Sequence, residues 1–321
     1  MPTTETGRQV PPSSGVIPPL VTPFTDTGAV DFESLQRQAS WLVSKGVDGV
    51  WLNGTTAEFH ALSDEERTQA VKEVVSALKG TGCPVFAQVG APATRLAVRL
   101  AESAVSAGAD AVSAVLPYYF MYEQSEVKEY LRAIRRAAGV PLYLYQVPVM
   151  TKITASIPTL LELAGEGTLA GMKDSLGDVS LLRSLLVRAN KAGVPLTVFV
   201  GDSALIDTSI LAGAAGAITA AADVAPAHCL RVAAAALAGD WPAAQRMQAD
   251  LVTFLNTLVL PARAPWTPRV AALKFIQAEM GIIADARCAE PFQPLDKAEQ
   301  EQLRTTAIPL LAKLESAPAP A

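Results

Sequence analysis

From Gly15 onward the chain alternates short apolar runs with stretches of helical periodicity, eight times in about 210 residues. The runs fall at 15–24, 49–53, 84–90, 111–117, 141–148, 169–173, 197–202 and 216–222. Between the first two, Leu35, Ala39, Leu42 and Val43 recur at helical spacing. Ser63 and Glu66 form a capping box that opens the second helix. Asp178 caps a later one, with Leu181, Leu182, Leu185 and Leu186 on one side. At 45–50, 107–112 and 212–218 a glycine leaves a helix and small residues lead into the next apolar run. Continuously apolar strands that alternate with helices imply a parallel sheet covered on both faces. Eight units predict a closed (β/α)8 TIM barrel. A doubly wound open sheet is the alternative. It usually carries a glycine-rich phosphate loop after its first strand, and residues 25–28 here read Thr-Asp-Thr-Gly. The expected organisation is a loose N-terminal tail at 1–14, the barrel at 15–225, a C-terminal helical region at 226–315 and a frayed tail at 316–321.

Composition narrows the function classes. Half the residues are apolar and 18% are charged, so a large core forms without staples. Net charge is −5 with no basic run, which argues against a nucleic-acid partner. Cys83, Cys229 and Cys288 lie far apart, with neither a disulfide framework nor zinc spacing, and this suits a reducing cytoplasm. The N-terminus lacks an apolar signal core. The longest apolar stretch, 209–222, is mostly Ala and Gly and too short for a membrane span.

In a barrel of this kind the chemistry lies at the C-terminal ends of the strands. The sixth run ends at Lys173, and period two places Leu169, Gly171 and Lys173 on one face. An amine in apolar surroundings loses its proton more readily, and a neutral lysine condenses with a ketone to a Schiff base. The bland alternative is a lysine that reaches solvent or pairs with Asp174. Gly54, Thr55 and Thr56 follow the second run, Pro117, Tyr118 and Tyr119 the fourth, and Tyr143 and Tyr145 share a face of the fifth. Thr219 ends the eighth. A phenol can shuttle protons on a carbinolamine. The threonine hydroxyls and nearby amides can hold a carboxylate, and Gly54 lets backbone approach a ligand. Alone, Tyr145 reads better as a core tyrosine with a satisfied hydroxyl, and Thr55 and Thr56 as ordinary turn or cap residues. The two histidines, His60 and His228, stand in unrelated contexts, so no metal site is expected. No nucleotide fingerprint or other cofactor motif is present.

Four segments together, 54–58 (GTTAE), 117–119 (PYY), 145–148 (YQVP) and 171–175 (GMKDS), resemble the dihydrodipicolinate synthase / N-acetylneuraminate lyase family in order and spacing. The resemblance runs from Gly15 to about Leu314. It implies a (β/α)8 barrel with a C-terminal helical extension, assembled as a homotetramer, a dimer of dimers. By that likeness Lys173 forms the Schiff base with pyruvate or another 2-oxo acid, and Tyr145 is the general acid and base. Thr55 links Tyr145 to Tyr119, which reaches in from a neighbouring subunit. Gly54, Thr55 and Thr56 bind the carboxylate, and the backbone near Ile218 lines the pocket. The chain departs from the lysine-biosynthetic synthases at Met150, where an arginine would grip the second substrate's carboxylate. Lys152 is a candidate substitute, Gln146 replaces an asparagine, and Ala57 replaces a glycine. The threonine loop also lacks the serine of the sialic acid lyases. The expectation is a class I aldolase or lyase joining or releasing pyruvate and an aldehyde such as a sugar-acid or hydroxy-oxo-acid. The alternatives are a dihydrodipicolinate synthase, a 2-keto-3-deoxy sugar-acid dehydratase and a non-catalytic 2-oxo-acid-binding protein.

Overall fold

Each apolar run becomes a strand of one parallel sheet in the computed structural model, which describes residues 8–260, 263 and 266–316. The strands are β1 (Gly15–Val16), β2 (Val50–Leu52), β3 (Val85–Gln88), β4 (Ala111–Val115), β5 (Leu142–Gln146), β6 (Gly171–Asp174), β7 (Thr197–Val200) and β8 (Gly216–Ala217). From β2 to β8 each strand pairs with its sequence neighbour, and β1 pairs with β8. Trp51 N donates to Pro18 O and Leu20 N to Trp51 O, both at 3.0 Å, which closes the ring between the first and second strands. The fold is a (β/α)8 barrel with a C-terminal helical extension.

The crossover helices are α1 (Phe32–Ser44), α2 (Asp64–Ala77), α3 (Thr94–Ser106) and α4 (Gln124–Ala138). The short α5 (Pro148–Thr151) precedes α6 (Ile157–Gly165), α7 (Val179–Ala192) and α8 (Ile206–Leu211). The extension comprises α9 (Pro226–Leu237), α10 (Trp241–Thr257), α11 (Thr267–Glu279), α12 (Lys297–Gln302) and α13 (Ile308–Ser316). The Ser63–Glu66 capping box and the Asp178 cap both form.

Several boundaries differ from the sequence expectation, each for a local reason. β1 is short because Pro18, Pro19 and Pro23 have no N–H to give a ladder. β8 stops at Ala217 and the chain winds into a turn at Ala220–Asp223. β6 begins at Gly171, not Leu169, and runs one residue past Lys173, because Asp174 still pairs with Gln146 and Val200. Pro148 starts the unexpected α5, a position that tolerates a missing N–H. The expected loose tail is held in its described part: Arg8 donates to Ala109 O and Val105 O, and Gln9 N donates to Asp110 Oδ1. Residues 1–7 lie outside the described residues. At the other end Ser316 closes α13, and 317–321 lie outside the described residues.

The extension shares a core with the barrel. Val16, Val200 and Ala217 of the strands pack in one cluster with Val232, Phe254 and Ile276 of α9, α10 and α11. A second cluster lies between strands β2–β7 and the crossover helices, and a third fills the barrel itself. The three cysteines are buried and unpaired. No helix among the described residues is long and apolar enough to cross a membrane.

Candidate active site

Lys173 lies inside the barrel and is 4% exposed. It pairs across the sheet with Tyr145 on β5 and Phe199 on β7, and Tyr145 pairs with Val115 on β4. This row stands on an aromatic floor: Trp51 stacks on Phe86 at 5.6 Å, and Phe86 meets Tyr143 edge-on at 5.2 Å. Lys173 Nζ sits 4.2 Å from the Tyr145 ring centre and 5.8 Å from that of Trp51, geometry attractive to a cation. Gly171 makes this packing possible. A Cβ there would fall 2.6 Å from the Tyr143 ring and 2.4 Å from Thr197 O. Burial pushes the Tyr143 phenol up to about 12.

Among the described residues no carboxylate lies within ion-pair distance of Lys173, so it is neither in solvent nor on Asp174. Asp174 points away from it, because neighbours in a strand face opposite sides. Burial pushes its carboxyl up to about 6, although the Leu176 amide at 3.1 Å favours the anion. Asp223, beyond β8, is fully buried and neither oxygen makes a well-formed hydrogen bond. Burial holds it well above the usual carboxylate range, opposed only in part by the Val21 backbone and the charge of Lys173.

Thr55 Oγ1 lies 3.2 Å from Tyr145 Oη, the one direct hydrogen bond between two of the expected catalytic side chains. The loop 54–58 is a run of tight turns: Ala57 N donates to Gly54 O at 3.1 Å and Glu58 N to Thr55 O at 3.0 Å. Among the described residues, the amides of Thr55 and Thr56 donate to no protein acceptor. Two adjacent free donors beside a lysine suit a carboxylate. Gly54 is not forced by crowding, since a Cβ there would meet only the Trp51 indole at an ordinary 3.4 Å. Ile218 is fully buried in the same cluster as Tyr145, and its N–H is spent on Val200 O at 2.9 Å.

Two expected residues lie apart. Tyr119 is 77% exposed at a left-handed φ of 98°, and its ring packs edge-on against Phe120, not on Thr55. The three-member relay is therefore not completed within one chain. Met150 lies on α5, 38% exposed beside Val149. Lys152 caps α5 in a left-handed conformation.

Sequence reading passed over Trp51, although period two along β2 put it on the inward face. It also passed over Glu58 and Lys274, which meet in a fully buried ion pair. The signal for Lys274 was a lysine within the apolar run 270–276. Among the described residues, no three His, Cys, Asp or Glu side chains cluster as a metal site.

This arrangement can hold a small carboxylate, offer an amine to its ketone and move a proton beside it. The dihydrodipicolinate synthetase family model matches residues 12–308. A 4-hydroxy-tetrahydrodipicolinate synthase of Alcanivorax borkumensis is 35% identical over 292 residues, which is 91% of this chain and 96% of that protein. A probable 2-dehydro-3-deoxy-D-pentonate aldolase of Escherichia coli K12 is 33% identical over 282 residues, covering 87% and 91%. The dihydrodipicolinate synthase of Acinetobacter baumannii, solved with pyruvate, superimposes with a TM-score of 0.84 at 32% identity, covering 94% and 99%. The chain belongs to the dihydrodipicolinate synthetase family and is an enzyme, a lyase of the class I aldolase type.

Proposed function

We propose that the protein joins or releases pyruvate and an aldehyde through a Schiff base on Lys173. The observation that carries this is a buried amine over the Tyr145 ring, with no acid paired to it and the Thr55 hydroxyl on the same tyrosine. The pyruvate carboxylate takes the free amides of Thr55 and Thr56. The Lys173 nitrogen adds to the ketone carbon and forms a carbinolamine. Tyr145, refilled through Thr55, gives a proton to the departing hydroxyl, and water leaves. Tyr145 takes a proton from the methyl carbon to give an enamine, the enamine carbon bonds to the aldehyde carbon, and the opened carbonyl oxygen takes that proton. Hydrolysis of the new Schiff base frees the product and restores the amine. Cleavage runs the same steps backwards.

The second substrate meets the rim near Met150, whose thioether offers no charge to a carboxylate. That favours an uncharged hydroxy-aldehyde, the half that a 2-oxo sugar-acid gives beside pyruvate, over aspartate semialdehyde. The relatives include both a 4-hydroxy-tetrahydrodipicolinate synthase and a probable 2-dehydro-3-deoxy-D-pentonate aldolase. Tyr119 completes the relay from a second copy of the chain within a homotetramer, which agrees with the exposure of Tyr119, Phe120 and Met121.

Borohydride reduction in pyruvate, followed by peptide mass mapping, tests the core of this reading. The expected result is one reduced pyruvate adduct on Lys173, absent from Lys173→Ala. No adduct, or an adduct elsewhere, overturns it. An aldehyde screen then tests the second half, where a strong preference for aspartate semialdehyde would overturn the use made of Met150.

A further inference from the structure

Glu58 ends the threonine loop in a left-handed conformation, φ 55° and ψ 36°, that a non-glycine residue adopts only when its surroundings impose it. Its side chain is fully buried and turns away from the pocket into the extension. One carboxylate oxygen pairs with Lys274 Nζ on α11, and the other accepts from Ala289 N at 2.7 Å. Lys274 is equally buried, donates to Arg287 O at 2.9 Å and lies 4.3 Å from the Phe24 ring centre. Three residues along the same helix, Gln277 Nε2 donates to Asp223 O at 2.8 Å, and its Oε1 accepts from Gln38 at 2.7 Å. One face of α11 therefore grips two segments that follow barrel strands. One carries Thr55 and Thr56, and the other follows Ile218 and Thr219.

We propose that the Glu58–Lys274 pair is a positioning device for the threonine loop, through which α11 of the extension sets the geometry of 2-oxo-acid binding. The proposal rests on the reading of the pocket given above. Packing alone gives little reason for the pair, since replacing a buried ion pair by apolar side chains of similar volume is often neutral or stabilising. What an apolar pair cannot supply is direction. The carboxylate has fixed partners from α11 and from the 287–289 backbone, so Glu58 has one place to be. Glu58 N is tied to Thr55 O, and Thr22 Oγ1 holds the intervening Ala57 O at 2.8 Å. A shift of Glu58 is therefore transmitted to Thr55, whose hydroxyl already lies at 3.2 Å from Tyr145, with little slack. Glu58 and Lys274 touch no substrate in this scheme and act through the loop.

The test uses the full-length protein, Glu58→Gln, Lys274→Met and the double variant, which leaves no unpaired buried charge. Two readings separate positioning from bulk stability. They are the pyruvate concentration that half-saturates borohydride trapping on Lys173, and amide hydrogen exchange across 54–59. The double variant is expected to melt cooperatively. Its half-saturating pyruvate rises ~10-fold or more, its trapping rate at saturation changes less, and exchange at 54–59 quickens while the strands stay protected. Wild-type half-saturation and wild-type exchange in the double variant would overturn the proposal. So would failure of all three variants to fold, because the pair would then serve the core. If wild type itself forms no adduct, the Schiff-base reading fails, and hydrogen exchange still decides whether the pair holds the loop.

Discussion

Lys173 and Asp174 are neighbours in the chain and do not pair, whereas Glu58 and Lys274 lie at opposite ends of the sequence and do. Both lysines are out of water. The difference is in what surrounds each nitrogen. Lys274 has a carboxylate, a carbonyl and a ring, so every part of its environment holds a cation still. Lys173 has two rings, the Trp51 indole and the Tyr145 phenol, with its strand neighbour turned to the other side of the sheet. A buried amine tied to an acid serves structure. A buried amine without one is free to make a bond.

Replacing each lysine by methionine breaks this comparison most directly. Lys173→Met is expected to lose activity by at least ~10⁴-fold, measured as pyruvate release or aldehyde condensation. Its thermal midpoint should hold or rise, because no partner carboxylate is stranded. Tyr145→Phe comes next. It keeps the ring under Lys173 and removes only the hydroxyl bonded to Thr55, so a loss on the order of 10²–10⁴-fold in turnover is expected, with the fold intact. If Tyr145→Phe kept full activity, the phenol would be a packing group. Lys274→Met reverses the pattern. It leaves Glu58 buried without its cation and should cost about 3–5 kcal/mol in urea unfolding, most of which the added Glu58→Gln change restores.

The same contrast explains which parts of the molecule were legible in the sequence. Strand period and barrel topology put Lys173 and Tyr145 on inward faces near the strand ends, while Thr55 stood in a loop, and the roles of all three came from the resemblance of four segments to a known family. The barrel itself followed from the count of apolar runs. The shortened β1 was less visible, since prolines 18, 19 and 23 keep a run apolar while removing its ladder donors. Tyr119 was placed at the right rim, but its direction depends on a left-handed backbone that local pattern does not encode. The Glu58–Lys274 pair was harder to see. Its partners are joined only when α11 folds back on the barrel, and the one local signal, a lysine within the apolar run 270–276, does not point to Glu58.

The smallest effect concerns Asp174, the carboxyl that lacks what Glu58 has. Its folded pKa is about 6, raised by burial from an ordinary 3.8. Between those two values the folded protein keeps a proton that the unfolded chain has already released. Stability contributed by this group is therefore present below about pH 4, falls as pH rises to 6, and stays lost above it. Asp174→Asn removes the charge and keeps an oxygen for the Leu176 amide. The variant should be more stable than wild type by about 2–3 kcal/mol at pH 7–8, with the advantage shrinking as pH falls through 6 toward 4. Urea titrations at pH 5, 6, 7 and 8 read that slope. A gain of the same size at every pH would mean that the amide acts by packing, and a loss would mean that Asp174 has a cation partner when the protein works.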